Sequence, residues 1–189
     1  MSTQTVQAPD ALEAPSAGDW KLDPSHTRIG FSARHLMVSR VKGNFEKFEG
    51  VIHVGENPFD SSVEVSIETN SVNTGDRKRD EHLVSGDFLE SETYPLMKFT
   101  TTKVEETDLP KFKLYGDLTV KDVTRPVVLD AEYMGTAPDP WGGERVGFTA
   151  RGEIDREEFG MTWNVFIESG GVLVGRKVEI ELDVQGVRQ

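Results

Sequence analysis

Cysteine is absent from all 189 residues. That excludes a disulfide scaffold, a thiol nucleophile, a CxxC redox site and a cysteine-held zinc, while any compartment stays open. Positive charge is scarce. Lys and Arg number 21 against 33 Asp and Glu, a net charge of -12 with a pI near 4.8. This argues against a nucleic-acid partner, because phosphate binding needs a basic face. An anionic membrane surface also repels the chain overall. No run approaches the roughly 18 consecutive apolar residues of a membrane span, so the chain is not expected to be membrane-spanning. Apolar residues are somewhat lean: counting glycine and leaving out tyrosine gives about 44%, just under the usual globular range of roughly 45–50%. The length suits one domain with a core of its own.

Residues 1–18 contain neither Lys nor Arg and no apolar core segment. A secretory signal needs both a basic start and an apolar stretch, so the expected location is cytoplasmic. Ala, Pro, Ser and Gln dominate, a composition that buries too little surface to order itself. Residues 1–18 are therefore read as a disordered tail and 19–189 as the folded domain.

Beyond the tail the chain is almost all β. In KVEIELDVQ, Val178, Ile180, Leu182 and Val184 face one way and Lys177, Glu179, Glu181 and Asp183 the other. Strict alternation over that length marks a half-buried strand. The same period places Val63, Val65 and Ile67 on one side of SSVEVSIE, and Phe112, Leu114, Gly116, Leu118 and Val120 on one side of KFKLYGDLTV. It does so again for Val127, Leu129, Ala131 and Tyr133; for Val146, Phe148, Ala150, Gly152 and Ile154; and for Ile29, Phe31, Ala33 and His35. Less regular strands are expected over 44–54 and 96–104, making about eight. Glu56-Asn57-Pro58 and Gly142-Gly143 are turn chemistry, and 105–108 reads as a polar loop. Only 76–84, DRKRDEHLV, reads as a helix, with Asp at its start and Leu83 and Val84 to dock.

Many antiparallel strands at regular spacing fit a sandwich or a closed barrel. Sandwich cores are filled by large facing side chains. Here the inward rows include Ala33, Gly116, Ala131, Ala150 and Gly152. Small inward residues leave space, and a barrel of about eight strands is the size that holds one small ligand. The competing reading is that these residues mark bulges or barrel corners.

Catalytic motifs are missing: there is no G-x-S-x-G elbow, no phosphate loop and no G-x-G-x-x-G. The four histidines, His26, His35, His53 and His82, form no H-x-H or H-E-x-x-H pair, so neither a metal site nor a catalytic set is expected. His35 continues the apolar row of Phe31 and Ala33, so it is expected inside or at the barrel mouth. There it either donates to a ligand's polar head or bonds the backbone as a core histidine. The run 77–82, RKRDEH, is the densest positive charge in the chain. It either holds an anionic head group or is the wet face of a helix. Phe45, Phe48, Phe88, Phe99, Phe148, Trp163 and Phe166 supply a large apolar interior, filled or hollow.

Several ordered segments together resemble the polyisoprenoid-binding YceI-like family. The resemblance begins at WKLDPSHTRIGFSARHLMVSRVKGNFEKFEG. It continues through SIETNSVNTGDRKRDEHLVSGDFLESETYPLMKF and GDLTVKDVTRPVVLD, and closes with IDREEFGMTWN and GGVLVGRKVEIELDV. Roughly 19–187 is covered. One departure is Asp122, where the family usually has glycine; Asp tolerates left-handed turn geometry better than most residues. The resemblance implies an all-β fold, an extended antiparallel lipocalin-like barrel with one short helix. It also implies a tunnel for a polyisoprenoid such as a prenyl diphosphate or quinone, a homodimer and no cofactor. Tunnel lining is then expected from Phe31, Ala33, Phe99, Leu114, Leu118, Leu129, Phe148, Ile154, Trp163 and Phe166. Head-group contacts are expected from His35, Arg34 and Arg79. The function expected is non-enzymatic carriage, storage or solubilisation of the lipid. The alternatives are a lipid cyclase or isomerase using His35 as acid or base, and a filled barrel serving as an interaction module.

Overall fold

Alternation gives every long strand one wet and one dry face, and the chain accommodates this by curving its sheet until the edges meet. The computed structural model describes residues 12–168 and 170–189. It contains β1 (Gly18–Leu22), β2 (Arg28–His35), β3 (Ser39–Phe45), β4 (Phe48–Val54), β5 (Ser62–Glu68), β6 (Val72–Asn73), β7 (Leu96–Asp108), β8 (Lys111–Val120), β9 (Val123–Pro138), β10 (Glu144–Asp155) and β11 (Val174–Arg188), with one helix, α1 (Arg77–Leu83). Neighbouring strands are antiparallel, and eight of them close a ring in the order β1-β4-β5-β7-β8-β9-β10-β11 and back to β1. The expected antiparallel barrel of about eight strands with one short helix is the fold observed. Among the described residues, no helix is long and apolar enough to cross a membrane.

β2, β3 and β6 extend this ring along β11. The C-terminal end of β11 pairs with β1 (Leu22 opposite Gly186), while its earlier part pairs with β2 (Ile29 opposite Leu182). β3 pairs with β2, as β4 pairs with β1. The expected single strand over 44–54 is thus two, interrupted at Glu46 and Lys47, whose backbone is held by Ser71. The expected polar loop at 105–108 is instead the end of β7, and the turn falls at Leu109-Pro110. In the β8–β9 turn the left-handed residue is Lys121 (φ 59°), not Asp122.

Between β1 and β2 the wall bends through Asp23–Thr27. Thr27 takes over the ladder there: its Oγ1 donates to the Gln185 carbonyl at 3.2 Å and accepts from the Gln185 N–H at 3.1 Å. Asp23 accepts from the Ser25 N–H at 2.9 Å and from Arg145 Nη1 of β10 at 2.6 Å, with His26 Nδ1 2.9 Å away. Side-chain oxygens thus satisfy a corner that has lost its sheet partners.

Three apolar clusters carry the packing. One lies under α1, around Phe45, Ile67, Phe88, Phe159 and Met161. A second sits at the opposite end, around Trp20, Leu22, Ile52, Tyr133 and Val146. A third lies on the β8–β10 wall at Leu114, Leu129, Ala131 and Ala150. α1 follows the sequence signal closely. The Asp76 side chain caps it by accepting from the Arg79 N–H at 3.1 Å. Leu83 and Val84 dock on the first cluster.

Of the expected tail over 1–18, residues 1–11 fall outside the described residues. Residues 12–17 lie against the barrel: Tyr133 Oη donates to the Glu13 carbonyl at 2.8 Å and Trp20 Nε1 to the Ser16 carbonyl at 3.2 Å.

The Arg145 hydrogen bond holds the Asp23 carboxyl well below the usual carboxylate range, against burial, which pushes it up; His26 and the Ser25 N–H act with Arg145. A lowered native pKa stabilises the fold above the unfolded value of about 3.9, and that contribution fades as pH falls toward the native value. Asp23→Asn should therefore cost about 1–3 kcal/mol at pH 7, and the gap to the parent protein should narrow at pH 3. Urea denaturation at both pH values checks this; a gap of constant size would refute it.

Candidate functional site: an apolar lumen

The three clusters do not merge. Between them lies a cavity of about 760 Å³, lined by residues from nearly every strand of the barrel. Inward rows read from alternation supply the walls: Val178, Ile180, Leu182 and Val184 of β11, for example, all line it. This volume is well inside the range of ligand pockets, roughly 300–1,000 Å³.

The small residues divide into two kinds. Ala33, Ala131 and Ala150 line the cavity and leave room in it. Gly116 and Gly152 do not. A Cβ on Gly116 would lie 2.3 Å from the Phe99 ring, and one on Gly152 2.5 Å from Leu129 Cδ2. The space each glycine vacates is filled by a neighbour that itself faces the lumen. Alanines therefore set the width, whereas the glycines let Phe99 and Leu129 lie flat against the wall.

The two ends differ. At one, Leu12 and Leu109 both line the cavity and are 52% and 60% exposed, which makes them the rim of a mouth. Phe59, Pro110, Ala14 and Pro15 complete that rim. At the other end the floor is made by Leu83, Phe88, Leu89 and Met161. The α1 segment and the residues that hold it build this floor. Arg79 donates through Nε to Thr74 Oγ1 at 2.7 Å and through Nη2 to the Thr74 carbonyl at 2.9 Å. Asp80 accepts from the Thr74 N–H at 2.9 Å and from its hydroxyl at 2.6 Å. His82 stacks edge-on against Trp163 and Phe88, with ring centroids 4.5 and 5.1 Å apart.

Of the residues expected to bind a ligand, Phe31, Ala33, Phe99, Leu114, Leu118, Leu129, Phe148 and Ile154 line the cavity together. The other five do not. Phe166 is 86% exposed, because it sits in a segment after β10 that pairs only through one isolated bridge to Val172. Trp163 is used in the stack behind the floor. His35 is the half-buried last residue of β2, opposite Val174 and Ser39, and lies past Ala33, the last residue of its row to line the cavity. Arg34 is exposed, and Arg79 is committed to Thr74.

One residue that alternation missed is Arg156. The inward row of β10 read from alternation ends at Ile154, and Asp155, Arg156, Glu157 and Glu158 follow it. The chain instead makes a tight turn over Arg156–Phe159, with Asp155 accepting from the Glu157 N–H at 3.0 Å and Gly160 left-handed at φ 79°. The turn carries Arg156 inward, where it is 2% exposed and lines the cavity. Burial lowers the pKa of its guanidinium, with Glu157 and Asp155 opposing. Among the described residues, no histidine and no carboxylate lines the cavity.

Comparison with known proteins agrees with this architecture. The family model described as the YceI-like domain matches residues 20–186. The protein YceI of Escherichia coli O157:H7 is 39% identical over 176 residues, covering 92% of this chain and 88% of its own. The crystal structure of the Campylobacter jejuni YCEI protein superposes with a TM-score of 0.71 at 34% identity, over 82% of this chain and 90% of that one. A polyisoprenoid binding domain from Saccharophagus degradans, implicated in plant cell wall breakdown, superposes with a TM-score of 0.67 at 14% identity. It covers 90% of this chain and 98% of its own.

The segment Leu12–Pro15 covers part of the mouth, so removing residues through Pro15 should speed the release of an apolar fluorophore from the lumen. Losing one leucine's worth of cover corresponds to roughly a tenfold faster off-rate. Stopped-flow displacement reads it, and an unchanged rate in a folded variant would show that the segment does not gate the mouth.

Proposed function

This chain belongs to the YceI-like family, and from that premise we propose that it binds a long-chain polyisoprenoid in its lumen, as carrier, store or solubiliser of the lipid. The observation that carries the proposal is the lumen itself: about 760 Å³, walled by apolar side chains and open at one end. Burial of each CH₂ contributes about 0.8 kcal/mol, so a thin apolar chain gains with every carbon that enters. A cavity of roughly 150 Å³ holds benzene. On that scale this lumen takes on the order of thirty carbons, or about six prenyl units. A prenyl diphosphate or a prenylated quinone both fit such a space with the chain inside.

A catalytic reading finds less support. A cyclase or isomerase needs an acid or base facing the bound chain, and His35, the candidate for that role, is not among the residues that line the lumen. A filled barrel used for protein interaction is disfavoured by the unfilled volume between the clusters.

Organic extraction of the purified protein followed by mass spectrometry should recover a prenyl lipid in near-stoichiometric amount. An extract without lipid, together with no uptake of prenyl diphosphate or quinone, would overturn the proposal. Across prenols of increasing length, affinity should climb by at least about tenfold per unit and level off near six units. Leu118→Arg, which places a charge on the lumen wall, should abolish uptake while the circular dichroism spectrum stays that of a β-barrel; retained uptake would remove Leu118 from the binding surface.

A further inference from the structure

The lumen wall is mostly apolar, with a few hydroxyl side chains, and at the floor it holds a buried cation. A guanidinium has five N–H donors. Arg156 Nε donates to the Gly175 carbonyl at 2.9 Å, and Nη1 to those of Met161 and Trp163 at 2.6 and 2.9 Å. Nη2 donates only to the Val174 carbonyl, at 3.3 Å, leaving one donor unassigned. These bonds satisfy N–H groups, but none of them neutralises the charge. The acids beside it in sequence are engaged elsewhere: Asp155 and Glu157 both bind Arg176, at 2.6 and 3.1 Å. Among the described residues, no carboxylate lies within 4.0 Å of the Arg156 guanidinium. The Phe88 ring lies 5.8 Å from its Cζ.

A buried charge without a counter-ion is unusual, since buried charges are ordinarily paired. A structural role, tying the 161–175 segment to the barrel, accounts for the four carbonyl bonds. It does not account for placing the charge on the wall of an apolar cavity. We propose that Arg156 is the head-group end of the lumen, pairing with an anionic, oxygen-bearing terminus of the bound chain. This rests on the reading that the lumen takes a long apolar chain. It adds an order to the binding: Arg156 stands with Met161 at the floor, opposite the mouth at Leu12 and Leu109, so the ligand enters head first and its tail lies toward the rim. It also ranks the head groups. An anion satisfies both the free donor and the charge, a neutral alcohol or quinone oxygen satisfies only the donor, and an ammonium is repelled.

The test uses the full-length protein and four geranylgeranyl ligands that share one chain and differ at the terminus: carboxylate, diphosphate, alcohol and ammonium. Displacement of a fluorescent lipid at pH 7 reads their affinities. The carboxylate should bind roughly tenfold to a hundredfold tighter than the alcohol, and the ammonium weakest. Given that order, a diphosphate equal to or better than the carboxylate assigns the head to a phosphate source, and a diphosphate weaker than the alcohol assigns it to a carboxylate. Equal binding of carboxylate, alcohol and ammonium overturns the role of Arg156 and leaves the lumen reading intact. Failure of all four to bind overturns both. Arg156→Met should erase the gap between carboxylate and alcohol without weakening the alcohol, and Arg156→Lys should keep most of it. A gap that survives in folded Arg156→Met also overturns the proposal. If that variant does not fold, the series on the parent protein decides alone.

Discussion

The architecture depends on one strand being hydrogen-bonded along both sides. β11 pairs with β10 from Lys177 to Val187, and on its other side first with β2 and then with β1. A sheet edge left open is a row of unpaired donors and acceptors, and here the first strand segments of the chain cover the last. Because β1 and β2 share β11 as a partner, the wall must bend between them. Asp23, Thr27 and Arg145 are the groups that make this bend possible without stranding backbone polar atoms. Closure then fixes the inside of the ring, and the alternating rows have no choice of face.

A closed ring of eight strands leaves a choice between filling the interior and lining it. This chain lines it. The clusters at the two ends hold Trp20, Phe45, Phe88 and Phe159, while the β8–β10 wall between them carries Ala131 and Ala150. Large residues are thus concentrated where the barrel must be plugged or braced. The α1 segment is an instance of the same logic. Its charged residues, which read as a possible anion site, hold Thr74 in place and present Leu83 to the floor.

The walls were legible in the sequence because a period of two is a local property. Six inward rows read from alternation lie on the inner face of the barrel, and eight of the thirteen residues expected at the site line one cavity. Legibility ended where the period ended. His35 is the last residue of its strand, past the part of its row that lines the lumen, and Trp163 and Phe166 lie in a segment with no ladder to fix their direction. The glycines misled for a related reason. Alternation assigns Gly116 and Gly152 to the inner face, but whether an absent side chain leaves a void depends on the side chains of the adjoining strand, here Phe99 and Leu129. Arg156 lies past the last of these rows, among acids, and the tight turn closed by left-handed Gly160 carries it inward.

The lumen also bears on what holds the fold together. A single-layered barrel has no second core, and unfilled apolar volume forgoes the dispersion contacts that a packed interior supplies. A bound chain restores those contacts, and any ligand that binds only the folded state stabilises it by mass action. The occupied barrel is therefore the better-packed molecule. The acidic outer rows, such as Glu179 and Glu181 beside inward Ile180, keep the two environments one strand apart. What distinguishes the floor from the mouth is a buried guanidinium with no carboxylate in contact on one side and an apolar rim on the other. A tunnel with identical ends accepts a chain in either direction; this asymmetry gives it one.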